Sequence, residues 1–234
     1  MENYEMLWII ITAAITFLIS GYFGFKRLLY LYQLTPRKVV ISAILGLLVF
    51  TLLMILYRIE FMSEQVGAAI ITNVYASIAG FFGGASVSQY QTKTAAGDIL
   101  YSNRSFLSDH ASVIMAIGVI LFGLYRTSLI NDLPVTPIRL SSGISFIAFG
   151  FWGMTLRLVP EFRQKGIILL DVLIEWKDFL NYQWFYEEVI EIEYEQVETI
   201  KFFKTHIPPE DQLAIEDVLR AKMKEKVEEK SIKN

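Results

Sequence analysis

The stretch Val66–Val87 reads VGAAIITNVYASIAGFFGGASV and carries no charged side chain over its 22 residues. A helix of that length rises about 33 Å, enough to cross the roughly 30 Å hydrocarbon layer of a bilayer. Small residues recur at every fourth position, at Ala76, Gly80 and Gly84, so they share one helix face and permit another helix to approach closely. The stretch therefore predicts a membrane-spanning helix that forms the packing axis of a bundle.

Four further apolar stretches accompany this one, and hydrophobic residues make up 54% of the chain. That fraction exceeds what soluble domains usually carry and is typical of membrane proteins. The expected fold is an α-helical bundle of five transmembrane helices over residues 1–159. Its small-residue face is either a contact within one chain, which we favour, or a contact between copies of a homo-oligomer. The five expected spans cover residues 6–25, 39–57, 66–87, 111–130 and 140–159.

Composition narrows the possible chemistry of the chain. The net charge is −3, whereas a nucleic-acid-binding protein needs a strongly basic face. The chain has no cysteine, which excludes disulfides and thiolate metal sites, and its two histidines, His110 and His206, disfavour a multi-histidine metal centre. We therefore expect no cofactor, no metal and no nucleic-acid partner.

The distribution of lysine and arginine predicts the orientation of the chain in the membrane. If there are five spans, the segments richer in basic residues all fall on one side, which is the cytosolic side. The N-terminus is then expected outside and the C-terminus in the cytosol of a multi-pass plasma-membrane protein. The expected cytosolic residues are Lys26, Arg27, Arg37, Lys38, Lys93, Arg104, Arg157, Arg163 and Lys165; Arg58, Arg126 and Arg139 are expected on the other side.

Asn73 lies within the third expected span, where a buried amide needs a hydrogen-bond partner. One hypothesis makes it part of a polar path for transport. The other, which we favour, is a single bond between two helices, with Thr51 or Thr155 as the expected partner. The expected spans carry no central Asp, Glu or Lys, which a transporter normally places at membrane depth.

The polar segment at residues 88–110 contains Asp98, Asp109 and His110, the chain's best candidates for acid–base catalysis. Neighbouring residues on a helix point about 100° apart, so Asp109 and His110 do not form a catalytic pair by themselves. We favour a loop in which Ser108 or Asp109 caps the fourth span.

Residues 160–234 differ in hydrophobic pattern from the apolar spans before them. They predict a small cytosolic α+β domain of three or four antiparallel strands and a C-terminal helix. Gly166–Ile174 is expected to form one strand, and Ile190, Ile192 and Tyr194 alternate with glutamates in another. Thr199–Lys204 is a further candidate strand, and Glu187-Glu188 a candidate turn. The helix is expected to start at Pro208-Pro209 and run to about Glu229, with an apolar stripe at Ile215, Leu219, Met223 and Val227.

Two side-chain groups in this domain are candidate interaction surfaces. The aromatic residues Trp176, Tyr182, Trp184 and Tyr186 would form either a recognition surface, a membrane-interface belt or the core of a small sheet. The glutamates are expected on a solvated face that binds a basic partner or none and repels anionic lipid. They are Glu187, Glu188, Glu191, Glu193, Glu195 and Glu198.

Five features follow one another in this part of the chain. They are a strand that starts at Gly166, the motif Trp176-Lys-Asp-Phe179, the motif Tyr182-Gln-Trp184, an alternating strand and a helix start at Ile207-Pro208. This succession resembles the short PH-like tail domains of bacterial membrane proteins, including families with a YcxB-like or DUF5673-like tail. The resemblance implies a membrane-tethered domain of unknown role and supplies no catalytic residues.

The expected function is that of a non-enzymatic scaffold or regulatory protein in the lipid bilayer, whose tail mediates interactions with a protein partner. One alternative is a transporter or channel component, and another is a membrane enzyme that uses the 88–110 loop.

Overall fold

The computed structural model describes residues 2–27, 35–102, 110–170, 172–196 and 198–233. The chain divides into two compact units. The first, helical unit comprises Met1–Tyr90 and His110–Leu156, and the second comprises Gln91–Asp109 and Arg157–Asn234. The second unit is thus assembled from two separate parts of the chain.

Five helices begin among the described residues of the first unit, and local signals mark the start of two of them. The side chains of Thr35 and Thr136 each accept a hydrogen bond from a first-turn backbone N–H, and proline follows both at the start of the helix. The helices are α1 (Glu2–Phe25), α2 (Pro36–Arg58), α3 (Glu64–Ala95), α4 (Ser112–Arg126) and α5 (Pro137–Thr155).

Three of the described helices, α1, α2 and α3, are long and apolar enough to cross a membrane, which indicates a membrane protein. The expected fourth span, 111–130, is too long, because α4 has 15 residues and the chain turns at Thr127 and Ser128. Fifteen residues rise about 22 Å, less than a bilayer core. The expected fifth span, 140–159, also ends too late, since α5 stops at Thr155 and a strand begins at Arg157.

Among its described residues, the second unit contains seven strands in two antiparallel sheets, followed by a helix. The predicted antiparallel strand domain with a C-terminal helix is confirmed, whereas the predicted number of three or four strands is wrong. One sheet has the order β1-β2-β3-β4 and the other β5-β6-β7. The elements are β1 (Ile99–Ser102), β2 (Arg157–Arg163), β3 (Gly166–Leu170), β4 (Val172–Glu175), β5 (Phe179–Tyr186), β6 (Val189–Gln196), β7 (Thr199–His206) and α6 (Gln212–Lys233).

Strand β1 comes from the segment that was expected to be a polar loop. It pairs with β2, with Tyr101 opposite Phe162 and Ser102 opposite Glu161. Helices α4 and α5 are therefore inserted between two neighbouring strands of one sheet. Strand β2 begins at Arg157, three residues before the expected start of the tail domain at residue 160.

The expected single strand Gly166–Ile174 is a hairpin. Leu170 adopts a left-handed backbone with φ 55, which ends β3, and β4 returns beside it with Ile167 opposite Ile174. Alternation alone did not reveal this reversal, because both halves are apolar. At the other hairpins, the expected Glu187-Glu188 turn is confirmed, and β7 extends to His206.

The core of the second unit consists of large apolar side chains from both sheets and α6. Phe162, Phe179, Ile190 and Ile192 are almost fully buried. Helix α6 covers them with the expected stripe, in which Ile215 and Leu219 are fully buried and Met223 packs alongside. The Val227 side chain lies outside the described set.

Candidate functional site

In the first unit, the predicted small face of α3 contacts α1. A Cβ on Gly80 would overlap the backbone of Phe17 and the Ser20 side chain, and one on Gly84 would overlap the carbonyl of Gly21. Ala76 lies on the same face and is 6% exposed. The two backbones therefore touch within one chain, as small residues permit.

Asn73 bonds to α1, not to the expected partners. Its side-chain oxygen accepts from Thr16 Oγ1 at 2.8 Å, and its Nδ2 donates to Thr12 Oγ1 at 3.2 Å and to the Ala69 carbonyl at 2.9 Å. Of the expected partners, Thr51 donates to the Leu47 carbonyl on its own helix, and Thr155 is bonded to Gln89. The amide is thus used in holding α1 and α3 together.

Thr72, the residue beside Asn73, differs from it in hydrogen bonding. It is 3% exposed, and its hydroxyl has no hydrogen-bond partner among the described residues. It lines a largely apolar cavity of about 340 Å³ together with Ala13 of α1, Ala76 of α3 and Leu140 of α5. An unpaired buried hydroxyl lowers the stability of the folded protein.

The residues considered for catalysis are not brought together in the described part of the chain. Asp98 accepts a hydrogen bond from Gln164 Nε2 at 3.0 Å, across the end of the β1–β2 pair. His110 is exposed, and Asp109, like Ser108, lies outside the described residues. Within the described ranges, no group of three or more His, Asp or Glu side chains has the spacing of a metal site.

Most of the predicted aromatic cluster packs inside the second unit. Trp176 is 9% exposed, and its indole N–H donates to the carbonyls of Arg163 and Gln164, both at 3.0 Å. Tyr182 and Trp184 pack against the core, and the Trp184 indole also donates to Glu216 on α6 at 2.7 Å. Tyr186 alone of the four is largely exposed, at 68%.

The opposite side of the β5-β6-β7 sheet carries polar and exposed apolar side chains, and we name it the outer face. Side chains alternate across a sheet, so the same alternation that buries Ile190, Ile192 and Tyr194 turns the glutamates of β6 to this side. The outer face comprises Asn181, Gln183, Phe185, Glu191, Glu193, Glu195, Ile200, Phe202 and Lys204.

In one half of the outer face, the charge of a carboxylate is balanced by a lysine of the same sheet. Glu191 accepts from Gln183 Nε2 at 2.8 Å and lies 3.1 Å from the ammonium of Lys204. The same ammonium lies 3.1 Å above the centre of the Phe185 ring. The hydrogen bond from Gln183, aided by Lys204, holds the pKa of the Glu191 carboxyl below its usual value. A cation here is held between a ring and a carboxylate.

The other half also pairs an aromatic ring with a carboxylate, and the part of the chain that the structure describes places no recorded cation beside them. Phe202 of β7 lies opposite Glu193 of β6, which lies opposite Asn181 of β5. These side chains border a depression of about 50 Å³ together with Gln183 and Glu191. Phe202 is 58% exposed, and within the described ranges no ion pair involves Glu193. We name this the Glu193 depression.

Strand β1 is fastened to the start of the C-terminal helix. The Tyr101 hydroxyl donates to Asp211 Oδ2 at 3.0 Å, and the ring packs on Phe162 with centroids 5.9 Å apart. Burial and, next, the bond to Asp211 raise the pKa of Tyr101 well above its ordinary value. This contact couples the detached first strand to the last helix of its unit.

Sequence reasoning missed three contributors to these sites. Gly21 and Gly24 supply the α1 side of the helix contact, and their short spacing in an apolar run was the available signal. Phe202 and Lys204 were read only as part of a strand, although alternation with Ile200 already placed all three on one face. The membership of β1 in the sheet had no local signal.

Comparison with protein families finds that residues 158–224 match the family described as Domain of unknown function (DUF5673). The matched stretch runs from β2 into α6, so it includes six strands of the second unit but not β1. No curated protein and no solved structure matches the chain. The second unit thus contains a domain similar to DUF5673, and the match covers under a third of the chain.

Proposed function

We propose that this chain is a non-enzymatic scaffold or regulatory protein of a bacterial plasma membrane. Its second unit is a cytosolic interaction domain that binds a protein partner through the outer face. The observation that carries this proposal is the exposure of apolar side chains beside carboxylates. Ile200 and Phe202 are more than half exposed on β7, which pairs with β6 alone among the described strands. Such an edge strand is a ready template for another chain.

The arrangement of the second unit also supports the PH-like assignment. Apart from the inserted α4 and α5, four strands of one antiparallel sheet, three strands of another and a closing helix follow one another along the chain, which is the order expected of a PH-like domain. The glutamates on the outer face disfavour an anionic membrane surface as the ligand, because like charges repel. A protein partner is therefore the better candidate.

The proposed topology has five crossings, with the N-terminus outside, and the 15-residue α4 crosses where the bilayer thins locally around it. Because β1 and β2 pair directly, the chain leaves one sheet before α4 and returns to it after α5. The α4–α5 excursion therefore crosses the membrane twice or not at all. Either way, three crossings by α1, α2 and α3 put the N-terminus opposite the sheets. Side chains such as Met115 and Leu121 are well exposed on α4, which supports a membrane-embedded hairpin.

The topology can be tested by cysteine labelling, since the natural chain has no cysteine and gives no background. Single substitutions Glu60→Cys, Asp132→Cys and Glu210→Cys are treated with a membrane-impermeant maleimide in intact cells. We expect labelling of the first two and protection of the third until the cells are opened. If Asp132→Cys were protected as well as Glu210→Cys, while Glu60→Cys was still labelled, the chain would have three crossings. Labelling of Glu210→Cys in intact cells would show the opposite orientation.

The interaction function is tested in native membranes with a photoreactive amino acid at residue 200, on the outer face. The matched control places the same amino acid at Asp217, an exposed position on α6. We expect a discrete protein adduct from position 200 and none from position 217. Equal adducts from both positions, adducts with lipid only, or no adduct would each contradict the proposal.

A further inference from the structure

We infer that the Glu193 depression is a socket for an arginine side chain of the partner protein, and this inference rests on the proposed function. The outer face contains two places where an aromatic side chain and a glutamate of neighbouring strands lie on the same side of the sheet. In one, Lys204 is held between the Phe185 ring and Glu191. In the other, Phe202 of β7 lies opposite Glu193 of β6, and among the described residues no ion pair to Glu193 is recorded.

The size of the depression suits a guanidinium group. A single ordered water needs roughly 10–15 Å³ of such space, so a depression of about 50 Å³ admits a group of several heavy atoms. Shallow polar walls leave the inserted group in contact with solvent at its edge. The cost of removing its charge from water is therefore smaller than in a deep pocket.

The chemistry of the wall favours arginine over lysine. A guanidinium stacks flat on an aromatic ring while its N–H groups bond a carboxylate in the same plane. Phe202 supplies the ring, Glu193 the carboxylate and Asn181 an amide oxygen for a further N–H. A lysine ammonium can donate to both acceptors, but it lacks the planar fork that stacks on the ring while it bonds the carboxylate through two N–H groups.

Geometry also suggests how the partner segment lies. An extended segment added beside β7 would run about 4.8 Å from that strand and about 9.6 Å from β6. An arginine on its outer side is long enough to lie over Phe202 and reach Glu193. Its next side chain on the same face, two residues along, would meet Ile200. The inferred occupant is thus an extended segment in which an arginine and an apolar residue share one face.

The binding test uses the purified full-length protein in detergent and a fluorescein-labelled peptide, Arg-Ser-Val-Ser-Arg-Ser-Val, with its glutamine-for-arginine twin as the control ligand. We expect Glu193→Gln to weaken binding about tenfold, the effect of one charge-assisted bond. Phe202→Leu should weaken it about threefold through loss of the cation–ring attraction. Glu198→Gln, an equal charge change in the β6–β7 turn, should leave the affinity unchanged.

Several outcomes would overturn the inference. They are equal loss in Glu198→Gln, equal affinity of the glutamine peptide, or unaltered binding in both outer-face variants. Preferential binding to phosphatidylethanolamine vesicles, whose ammonium is a rival cation, would also do so. Unfolding temperatures of all variants, measured in parallel, must match the parent.

The photo-adduct at residue 200 separates the two proposals. A protein adduct whose yield is undiminished in Glu193→Gln overturns the arginine socket and leaves the interaction function standing. Absence of any adduct in the parent overturns both.

Discussion

The α1–α3 contact and the core of the second unit are stabilised in opposite ways. Between α1 and α3, glycines bring two backbones together and Asn73 bonds two threonines. In the second unit, phenylalanines and isoleucines fill the space between two sheets and a helix. The difference follows from the solvent. Moving an apolar side chain from lipid into a helix contact gains no hydrophobic free energy, whereas moving it out of water into a protein core does. Close packing and polar bonds therefore replace apolar burial where the surroundings are apolar.

The largest expected effect comes from emptying the core of the second unit. Phe179 is 1% exposed and packs edge-on against Trp176. Phe179→Ala should lower the free energy of unfolding by about 3–5 kcal/mol, because it removes apolar contacts and leaves a cavity. Chemical denaturation followed by tryptophan fluorescence measures this loss. Phe202→Ala, at an exposed position on the same unit, should cost less than about 1 kcal/mol.

The next effect comes from separating α1 and α3. Gly84→Leu forces a side chain against the Gly21 carbonyl and should cost about 1–3 kcal/mol. Gly46→Leu is the matched control, since nothing lies within 4 Å of a Cβ built at Gly46 on α2. Thermal unfolding in detergent compares the two. If both substitutions lowered the transition equally, the contact between α1 and α3 would have no special role.

A smaller effect concerns the bond that fastens β1. Tyr101→Phe should cost about 1 kcal/mol near neutral pH. The raised pKa of Tyr101 means that the folded protein retains this proton above pH 10, the ordinary value, while the unfolded chain releases it. The parent should therefore lose stability as the pH rises beyond about 10, and its advantage over the variant should shrink. Denaturation curves at pH 8 and pH 10.5 measure this, with Tyr186→Phe as the exposed control.

The smallest effects compare two neighbouring polar residues on α3. Asn73→Leu should lower stability by about 0.6 kcal/mol or somewhat more, the usual size of a hydrogen bond between membrane helices. Thr72→Val should instead raise stability by roughly 1 kcal/mol, because it replaces an unpaired buried hydroxyl with a methyl of the same shape. Thermal shifts of opposite sign are expected, and a destabilised Thr72→Val would mean that the hydroxyl has a partner.

Elements with a strong local pattern were predictable. The uncharged run at Val66–Val87 predicted α3, although the helix extends to Ala95. Alternation at Ile190, Ile192 and Tyr194 predicted β6, and the proline start with its four-residue stripe predicted α6. In each case the signal lies within one helical or strand period and needs no knowledge of distant residues.

Features of the candidate sites depended on distant partners instead. Asn73 was assigned the wrong threonines, because several helices offered hydroxyls at membrane depth and only packing selects among them. Trp176 and Trp184 were indistinguishable by sequence from a recognition surface until both were found to pack against the core. The Glu193 depression needs residues from three strands, and no single stretch contains them.

By itself, the amino-acid sequence determined that this protein has long apolar helices suited to a membrane and a patterned domain at its C-terminal end. Both properties follow from the composition and spacing of residues that are neighbours in the chain. Only the tertiary structure decided that Ile99–Ser102 joins β2 across an inserted pair of helices, and that Lys204 lies between Phe185 and Glu191. Pairing between segments far apart in the chain depends on the register of whole strands, which local composition does not encode.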